Sequence, residues 1–345
     1  MNPIRVVQWG LGAMGSGMAR LVLSKPGLRL VGCVDSRPDL AGRDAGEVLG
    51  AGPLGMPVTT DAARLLAERR PDVVLIATTS WIADQQADLE TIVSAGANCV
   101  SIAEEMSAPA AADPARAERL DQLARRHGVS VVGTGVNPGF VLDLLVVLLT
   151  AGCHDVRSVT ARRVNDLSPY GPTVMRTQGV GLSPAGFAAG VADGSVVGHV
   201  GFPQSVRLIS DALGLGVDRI EEAREPIVTE VRRTTAHVTV EPGMVAGCDH
   251  RCVGYRGRTE VIRLIHPQQV RPDLGGQDTG DRITIDGTPS VSLTISPEYA
   301  GGLATQALAV NVIPHLVRAT PGLKSMLDLP VPAALMGPPA YLRRP

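Results

Sequence analysis

The first 140 residues of the chain alternate apolar runs with amphipathic segments. Apolar runs of strand type occupy residues 4–7, 28–34, 71–77, 98–102 and 129–132. Helical patterns fill the intervals, at residues 14–23, 43–49, 61–70, 83–95 and 113–127. Runs that are nearly continuous in apolar residues are typical of strands buried on both faces of a parallel sheet. We therefore expect an α/β domain with a doubly wound parallel sheet and right-handed crossovers.

From about residue 155 the pattern changes to longer stretches in which polar and apolar residues alternate. Strands are predicted at residues 156–164, 227–234, 237–240, 259–266 and 282–285, and the clearest helix at 202–213. Such alternation is typical of a sheet with one solvated face. It predicts a second domain of α+β class with a mixed or antiparallel sheet.

A uniformly apolar stretch follows at residues 302–317 and predicts a long helix, which Pro314 would kink or end. Its lack of a polar face predicts burial between the two domains. The expected organisation is a doubly wound domain at residues 1–140, an α+β domain at 141–300, and a C-terminal helix and tail at 301–345 that pack back between them.

Composition and charge agree with a globular protein and narrow its partners. The 345 residues are 44 % hydrophobic and 19 % charged, which suits two sizeable cores. A formal net charge of −2 gives no electrostatic reason to expect nucleic acid or a membrane as partner. The start of the chain lacks the pattern of a signal peptide, and the apolar run at 140–149 is too short to span a bilayer. We expect a cytoplasmic protein.

A glycine-rich turn follows the first apolar run at once. It reads Gly10-Leu11-Gly12-Ala13-Met14-Gly15, and after a helical segment a second strand ends at Asp35. The first glycine allows a tight turn, the second lets the backbone approach a pyrophosphate, and the third lets helix and strand pack closely. The Asp35 carboxylate can accept hydrogen bonds from an adenosine ribose. Residues 1–140 are therefore expected to be a Rossmann domain that binds NAD or NADP.

The residues around Asp35 bear on the choice between the two cofactors. A carboxylate at this position favours NAD, because it repels the 2′-phosphate of NADP. Ser36 and Arg37 follow directly, and an arginine there can stack on adenine or pair with a phosphate. We expect both cofactors to be used, with NAD favoured.

Three further strand ends are candidates for the site, since ligands of open α/β sheets bind beyond the carboxyl ends of the strands. One carries Ala77-Thr78-Thr79, whose small and hydroxylic side chains can lie beside the cofactor. Another carries Glu104 and Glu105. The last carries Asn137 before Pro138, which predicts a capped helix start that also lines the site.

The two adjacent glutamates point in different directions, so one can face the site while the other caps a helix or pairs with an arginine. A fixed carboxylate beside a nicotinamide can stabilise an iminium cation and accept a proton when an amine-bearing carbon is oxidised. The plainer alternative is that both are solvated loop acids.

Polar residues of the second domain concentrate at the end of its first predicted strand and in the stretch that follows it. Arg162 and Arg163 alternate across that strand, so one of them can face a cleft, where a guanidinium fork suits a substrate carboxylate. Thr173 lies in the polar stretch that follows. His199 and His266 are further candidates, although a lone histidine is more often structural.

The cysteines and lysines argue against two other kinds of chemistry. An odd number of cysteines, five, suits reduced thiols. Cys248 and Cys252 flank His250 on one strand face, but no second ligand pair lies nearby, so no metal is expected. Lysine occurs only twice, as Lys25 at a helix end and Lys324 in a late turn, so lysine-based catalysis is not expected.

Seven segments carry a resemblance to a known family: residues 7–18, 101–106, 133–143, 165–175, 241–248, 266–270 and 329–334. Through them the chain resembles the 2,4-diaminopentanoate dehydrogenases from end to end. This family is related to the dihydrodipicolinate reductase-like enzymes and to native amine dehydrogenases. Dihydrodipicolinate reductase itself is disfavoured, because its histidine–lysine signature needs a mid-chain lysine that this sequence lacks.

The resemblance implies NAD(P)-dependent oxidative deamination of 2,4-diaminopentanoate at C4, giving 2-amino-4-oxopentanoate and ammonia. It implies a homodimer formed through the sheet of the second domain. It places the catalytic acid/base at Glu104 and the groups that hold the amino-acid end of the substrate at Asn137, Arg163, Asn165 and His266. His199 gains less support from it.

Two other functions stay open. One is an amine dehydrogenase for simple amines and ketones that lack a carboxylate. The other is a redox sensor that binds NAD without turnover.

Overall fold

A computed structural model describes residues 2–337 of the chain. Its strands are β1 (Ile4–Trp9), β2 (Leu28–Val34), β3 (Val73–Ile76), β4 (Asn98–Ser101), β5 (Ser130–Gly133), β6 (Asp155–Asp166), β7 (Arg219–Val228), β8 (Arg233–Thr234), β9 (Thr239–Val240), β10 (Val245–Arg256), β11 (Thr259–Gln269), β12 (Gly280–Thr288), β13 (Val291–Ile295) and β14 (Gly322–Lys324).

The α-helices are α1 (Ala13–Ser24), α2 (Ala45–Leu49), α3 (Ala62–Arg69), α4 (Ile82–Ser94), α5 (Pro109–Ala112), α6 (Pro114–His127), α7 (Leu144–Thr150), α8 (Pro172–Thr177), α9 (Pro184–Asp193), α10 (Phe202–Leu213), α11 (Gly301–Asn311) and α12 (Ile313–Leu316). Short 3-10 helices lie at Glu104–Ser107 and Pro272–Gly275. None of the described helices combines the length and apolarity needed to cross a membrane.

The chain forms two compact units. Unit 1 comprises residues 1–140 and 301–345, and unit 2 comprises residues 141–300. Residues 338–345 of the expected C-terminal tail lie outside the described part of the chain. Each unit is built on its own six-stranded sheet.

The sheet of unit 1 has the order β14-β5-β4-β3-β1-β2, with every pair parallel. Its central strands β1, β3, β4 and β5 are buried, as their apolar runs predict. The predicted doubly wound parallel sheet is thereby confirmed. The sixth strand was not foreseen, and Lys324 lies on β14 rather than in a turn, because three residues carry no readable alternation.

Side-chain caps explain where two helices of unit 1 begin. The Asp61 side chain accepts the Arg64 N–H at 3.0 Å and starts α3, and Asp113 starts α6 in the same way. The expected helix at 302–317 is two helices, since α11 ends at Asn311 and α12 carries Pro314 in its first turn. Helix α11 packs on α1 within unit 1.

The segment after β5 forms turns rather than the helix start that the sequence predicts, so the expected Asn137 cap is wrong. Gly139 has φ +121°, and a Cβ on it would lie 2.4 Å from the Gly135 amide nitrogen, so no helix can run through it. Helix α7 begins only at Leu144, whose N–H donates to Asp143 Oδ1 at 2.6 Å.

The sheet of unit 2 is mixed, as expected, with the order β13-β12-β6-β11-β10-β7. Only β6 and β11 pair in parallel. The strand predicted at 227–234 is wrong, because β7 ends at Val228 and the pairing of β8 with β9 involves two residues each. Strands β7 and β13 were missed, and only residues 248–252 of β10 were treated as a strand. Edge strand β7 is mostly exposed and charged, so it shows no apolar alternation.

Candidate functional site

In the glycine turn of unit 1, Gly12 faces open space, whereas Gly10 and Gly15 pack closely against other backbone atoms. A Cβ on Gly10 would lie 2.4 Å from the Ala77 carbonyl oxygen, and one on Gly15 would lie 1.9 Å from the Gly10 carbonyl oxygen. A Cβ on Gly12 would meet nothing within 4 Å. Helix α1 starts at this exposed point without a side-chain cap. The free amide end of α1 therefore fits a pyrophosphate, which needs both positive potential and close approach.

The remaining predicted cofactor residues surround this turn. Asp35 Oδ2 accepts the Leu11 N–H at 2.6 Å, while Oδ1 accepts from the backbone and Nε of Arg37 at 2.9 and 3.0 Å. Arg37 Nη2 also donates to the Leu11 carbonyl oxygen at 3.0 Å. Burial raises the pKa of Asp35, but the hydrogen bonds from Arg37 and Leu11 outweigh it and lower the pKa overall. The structure thus keeps an anion at the end of β2 and pairs it with Arg37.

Other predicted cofactor positions are solvent-accessible. Ala13 and Ser36 are exposed, and Met14 is half-buried at the start of α1. Beyond β3, Thr78 is exposed, and Ala77 and Thr79 are half-buried. All of them lie beyond the carboxyl end of a strand or at the amino end of α1, where the sequence places them.

The two glutamates after β4 have different roles in unit 1. Glu105 Oε2 accepts the Ile82 N–H at 2.8 Å and so caps α4, whose own N-cap residue offers no side-chain bond. Glu104 is half-buried and receives a hydrogen bond from the Ser80 side chain. Burial raises the pKa of Glu104, the Ser80 bond opposes the rise, and the charge of Glu105 adds to it. A carboxyl with a raised pKa at a strand end is suited to proton transfer.

A buried polar network fixes the loop that carries Glu104. Ser101 Oγ donates to Gln85 Oε1 at 2.6 Å and accepts the Ala103 N–H at 3.1 Å. Gln85 Nε2 in turn donates to Thr78 Oγ1 at 3.2 Å. Nothing in the sequence singles out Gln85, because its partners lie on other elements. Asn137 is half-buried in the turn after β5, and its peptide bond to Pro138 is cis.

Arg163 of unit 2 is a buried ion-pair partner rather than a free fork. Its Nη1 lies 2.6 Å from Asp281 Oδ1, with both side chains almost fully buried. Its Nη2 donates to the Tyr299 carbonyl oxygen, and Asp281 Oδ2 accepts the Tyr299 N–H at 3.2 Å. Burial raises the pKa of Asp281 and the Arg163 charge opposes the rise. Arg162 lies on the opposite, more exposed face of β6.

Three histidines and one phenylalanine of unit 2 form a cluster in which His199 is half-buried and the other three residues are buried. The His199 ring lies 4.8 Å from the Phe202 ring and 4.9 Å from the His266 ring, in edge contacts. The His250 ring lies 4.8 Å from Phe202. Burial holds the pKa of His199 and of His266 well below the usual value, and neighbouring histidines and Arg163 lower both further. These rings are therefore neutral at neutral pH.

The predicted substrate residues of unit 2 are only partly brought together. His266 Nε2 lies 3.0 Å from Asn165 Oδ1, and since a carboxamide oxygen can only accept, that nitrogen carries the proton. Both side chains are buried. Thr173 is instead exposed on α8, where its Oγ1 lies 3.4 Å from Arg176 Nη2.

The motif considered for a metal is a buried strand segment. Cys248 and Cys252 are free and buried with His250 on β10, and burial raises the pKa of the Cys248 thiol to about 12. No cluster of three or more potential ligands among residues 2–337 could hold a metal ion. His250 belongs to the histidine cluster, which the sequence reasoning missed because it treated each histidine alone.

Comparisons with known proteins bear on the family of the chain. The 2,4-diaminopentanoate dehydrogenase C-terminal domain matches residues 140–344, and the dihydrodipicolinate reductase N-terminus matches residues 4–101. The chain is 42 % identical to 2,4-diaminopentanoate dehydrogenase of Acetoanaerobium sticklandii, over 98 % of this chain and 96 % of that protein. It is 30 % identical to an amine dehydrogenase of Streptomyces virginiae, over 96 % of this chain and 98 % of that one.

A solved structure gives the same result at the level of the fold. The amine dehydrogenase of Mycobacterium smegmatis matches with a TM-score of 0.83 at 28 % identity, covering 95 % of this chain and 96 % of that chain. The fold is that of an NAD(P)-binding dehydrogenase. The resemblance carried by the seven sequence segments is thereby confirmed, and the chain belongs to the 2,4-diaminopentanoate dehydrogenase family.

Proposed function

We propose that this enzyme oxidises 2,4-diaminopentanoate at C4 with NAD(P), giving 2-amino-4-oxopentanoate and ammonia, and that it runs the reverse reductive amination. The observation that carries the proposal is the state and position of Glu104. It is a half-buried carboxyl with a raised pKa, and it lies at the same edge of the unit 1 sheet as the glycine turn. The family relative from Acetoanaerobium sticklandii bears the name of this activity.

The amide end of α1 and Asp35 would hold NAD(P), which would supply the hydride acceptor for the carbon that bears the amine, and the substrate would become an iminium cation. The Glu104 carboxylate stabilises that cation by charge, accepts a proton from the water that attacks it, and returns the proton to the departing ammonia. Its partial burial strengthens the charge interaction relative to water. The Ser80 hydroxyl holds one oxygen of Glu104, so the other is oriented for the substrate.

Recognition of the amino-acid end of the substrate is assigned to Asn137, Asn165 and His266. His199 supports it through its ring contact with His266. Neutral imidazole and carboxamide groups can pair with both an ammonium and a carboxylate. Arg163 contributes charge to this cluster, since it lowers the pKa of His199 and His266. Thr173 is assigned a contact at the solvent side of the substrate.

A second candidate substrate class has one observation in its favour. Both terminal nitrogens of Arg163 are engaged by Asp281 and Tyr299, so the fork is not available for a bidentate carboxylate contact. That suits amines without a carboxylate, and the relatives include amine dehydrogenases. Because the chain belongs to an enzyme family, nothing supports the alternative of a redox sensor that binds NAD without turnover.

We propose that NAD is the preferred cofactor. The lowered pKa of Asp35 maintains a negative charge where NADP would place its 2′-phosphate. Arg37 partly neutralises that charge, which supports use of NADP as well. A cytoplasmic homodimer joined through the sheet of unit 2 completes the proposal, and light scattering during size-exclusion chromatography tests its stoichiometry.

A substrate panel with both cofactors tests the function. The enzyme is incubated with NAD or NADP and either 2,4-diaminopentanoate or a simple amine, and the reduced cofactor is followed by its absorbance. We expect turnover of the diamino acid with ammonia and 2-amino-4-oxopentanoate as products, and a background rate for Glu104→Gln. No turnover of the diamino acid above that background would refute the main proposal, and faster turnover of the simple amine would favour the second candidate.

A further inference from the structure

A buried histidine holds the backbone of His199 in unit 2. The His199 N–H donates to Nδ1 of His250 at 2.9 Å. Gly198 packs so closely against that ring that a Cβ on it would lie 2.8 Å from Nδ1. His250 itself is fully buried on β10. The backbone of His199 is therefore held by a buried ring.

The same backbone is held from two other elements. Arg224 Nε on β7 donates to the Val197 carbonyl oxygen at 2.7 Å. Gln178 Nε2, at the end of α8, donates to the Gly198 carbonyl oxygen at 2.7 Å. Side-chain hydrogen bonds therefore hold the backbone at three successive residues of this segment.

The bonds of His250 define its tautomer. Because Nδ1 accepts the His199 N–H, a neutral ring must carry its proton on Nε2. That nitrogen lies 3.1 Å from Oε1 of Glu222 on the neighbouring strand β7. The Glu222 carboxylate is in turn 3.5 Å from Arg224 Nη2. A carboxylate beside one ring nitrogen favours the tautomer that carries its proton there, which leaves the other nitrogen able to accept elsewhere.

The chain of contacts ends at the proposed substrate residues. The His199 ring meets the His266 ring edge-on, with the centroids 4.9 Å apart, and His266 Nε2 reaches Asn165 Oδ1 at 3.0 Å. A rotation of His266 would break that contact with Asn165. His199 thus packs against the ring whose orientation keeps the contact with Asn165.

We propose that Glu222 and His250 are positioning residues of the substrate site: Glu222 fixes the His250 tautomer, and His250 holds His199 against His266. This inference rests on the proposed function, in which Asn165 and His266 bind the amino-acid end of the substrate. Neither positioning residue takes part in the proton transfer assigned to Glu104. Their loss therefore acts on substrate affinity and leaves the chemical step intact.

Substitutions of Glu222 provide the kinetic test. Glu222→Leu removes the carboxylate beside Nε2, and we expect KM for 2,4-diaminopentanoate to rise about tenfold, with kcat within about twofold. Glu222→Gln keeps an oxygen beside Nε2, and we expect its KM to return most of the way to that of the unaltered enzyme. The matched control is Glu225→Leu, which removes an exposed carboxylate of the same strand that pairs with Arg251.

A second substrate separates positioning from a general structural role. In reductive amination of a ketone without an amino-acid end, Glu222→Leu should have the KM of the unaltered enzyme. Equal damage with both ketones, equal damage by the leucine and glutamine variants, or no change in a folded leucine variant would each overturn the inference. If the leucine variant does not fold, Glu222→Asp replaces it, with a smaller rise in KM expected.

A spectroscopic signature keeps this test apart from the function itself. Long-range ¹H–¹⁵N spectra of the histidine rings should show His250 with its proton on Nε2, and a mixture of tautomers in Glu222→Leu. A His250 proton on Nδ1 overturns the inference whatever the enzyme turns over. Absence of activity in the unaltered protein alongside the expected tautomer would refute the proposed function alone.

Discussion

Unit 1 and unit 2 hold their polar groups in different ways. In unit 1 the contacts of the site join neighbouring loops: Leu11 N–H to Asp35 spans 24 residues and Ile82 N–H to Glu105 spans 23. In both of them a backbone amide is the donor. In unit 2 buried side chains bond to each other across the sheet, over 118 residues from Arg163 to Asp281 and 101 from Asn165 to His266.

The difference separates chemistry from support. A loop carboxylate such as Glu104 can be replaced without removing any strand contact, so its loss should change the reaction and spare the fold. A buried pair such as Arg163 and Asp281 joins β6 to β12, so its loss should affect stability first. The predictions below test this separation.

The largest effect is expected at Glu104. Glu104→Gln keeps the shape but removes the base, and kcat should fall by about 10² to 10⁴-fold, the usual contribution of general base catalysis. The dissociation constant for NADH, measured by fluorescence, should stay unchanged. Glu105→Gln is the matched control, with kcat near that of the unaltered enzyme because Glu105 caps α4. Equal losses in both variants would remove the special role of Glu104.

The buried ion pair of unit 2 should have the largest effect on stability. Asp281→Leu leaves the Arg163 guanidinium buried without its partner, and the free energy of unfolding should fall by about 3–5 kcal/mol. Adding Arg163→Met should recover most of that loss. In urea unfolding, the control Asp286→Ala, on the same two strands but in the exposed pair with Arg157, should keep its midpoint. A double variant as unstable as the single one would contradict this explanation.

Cofactor choice should respond to Asp35 with an intermediate effect. Asp35→Ala removes a charged acceptor for the ribose hydroxyls, so KM for NAD should rise by about 10 to 100-fold, while KM for NADP should rise less or fall. Arg37→Ala should act in the opposite sense and raise KM for NADP, because it leaves the Asp35 charge without its partner. Equal changes in KM for NAD and for NADP would show that Asp35 and Arg37 only support the glycine turn and do not select the cofactor.

The smallest effect is a displacement of the pH profile. In oxidative deamination Glu104 must be ionised, so activity falls as the pH drops through its pKa, which burial raises above the usual value. The Ser80 hydroxyl opposes that rise. In Ser80→Ala the acid limb of kcat/KM should therefore move to higher pH, and Ser80→Thr should restore it. If the acid limb lay at the same pH in the unaltered enzyme and in both variants, the group that titrates there would not be Glu104.

The sequence predicted the parts of the molecule that are local. The glycine turn, Asp35 and the acids after β4 follow recognisable apolar runs, so both the motifs and their positions in the fold could be predicted. The roles of Asp281, His250 and Glu222 could not be predicted, since their partners lie far along the chain and the exposed, charged strand β7 shows no apolar alternation. The expected helix cap at Asn137 failed because Gly139 takes a backbone conformation that the motif does not reveal.

The order of the elements of unit 1 affects how the chain matures during synthesis. Its first five strands are made early, but α11 and β14, which cover α1 and complete the sheet beside β5, come after all of unit 2. A nascent chain of 140 residues thus exposes β5 as an open sheet edge and leaves the surface of α1 around Gly17 uncovered. The cofactor domain finishes last, although it begins first, and until then its edge is a site for mispairing or chaperone binding.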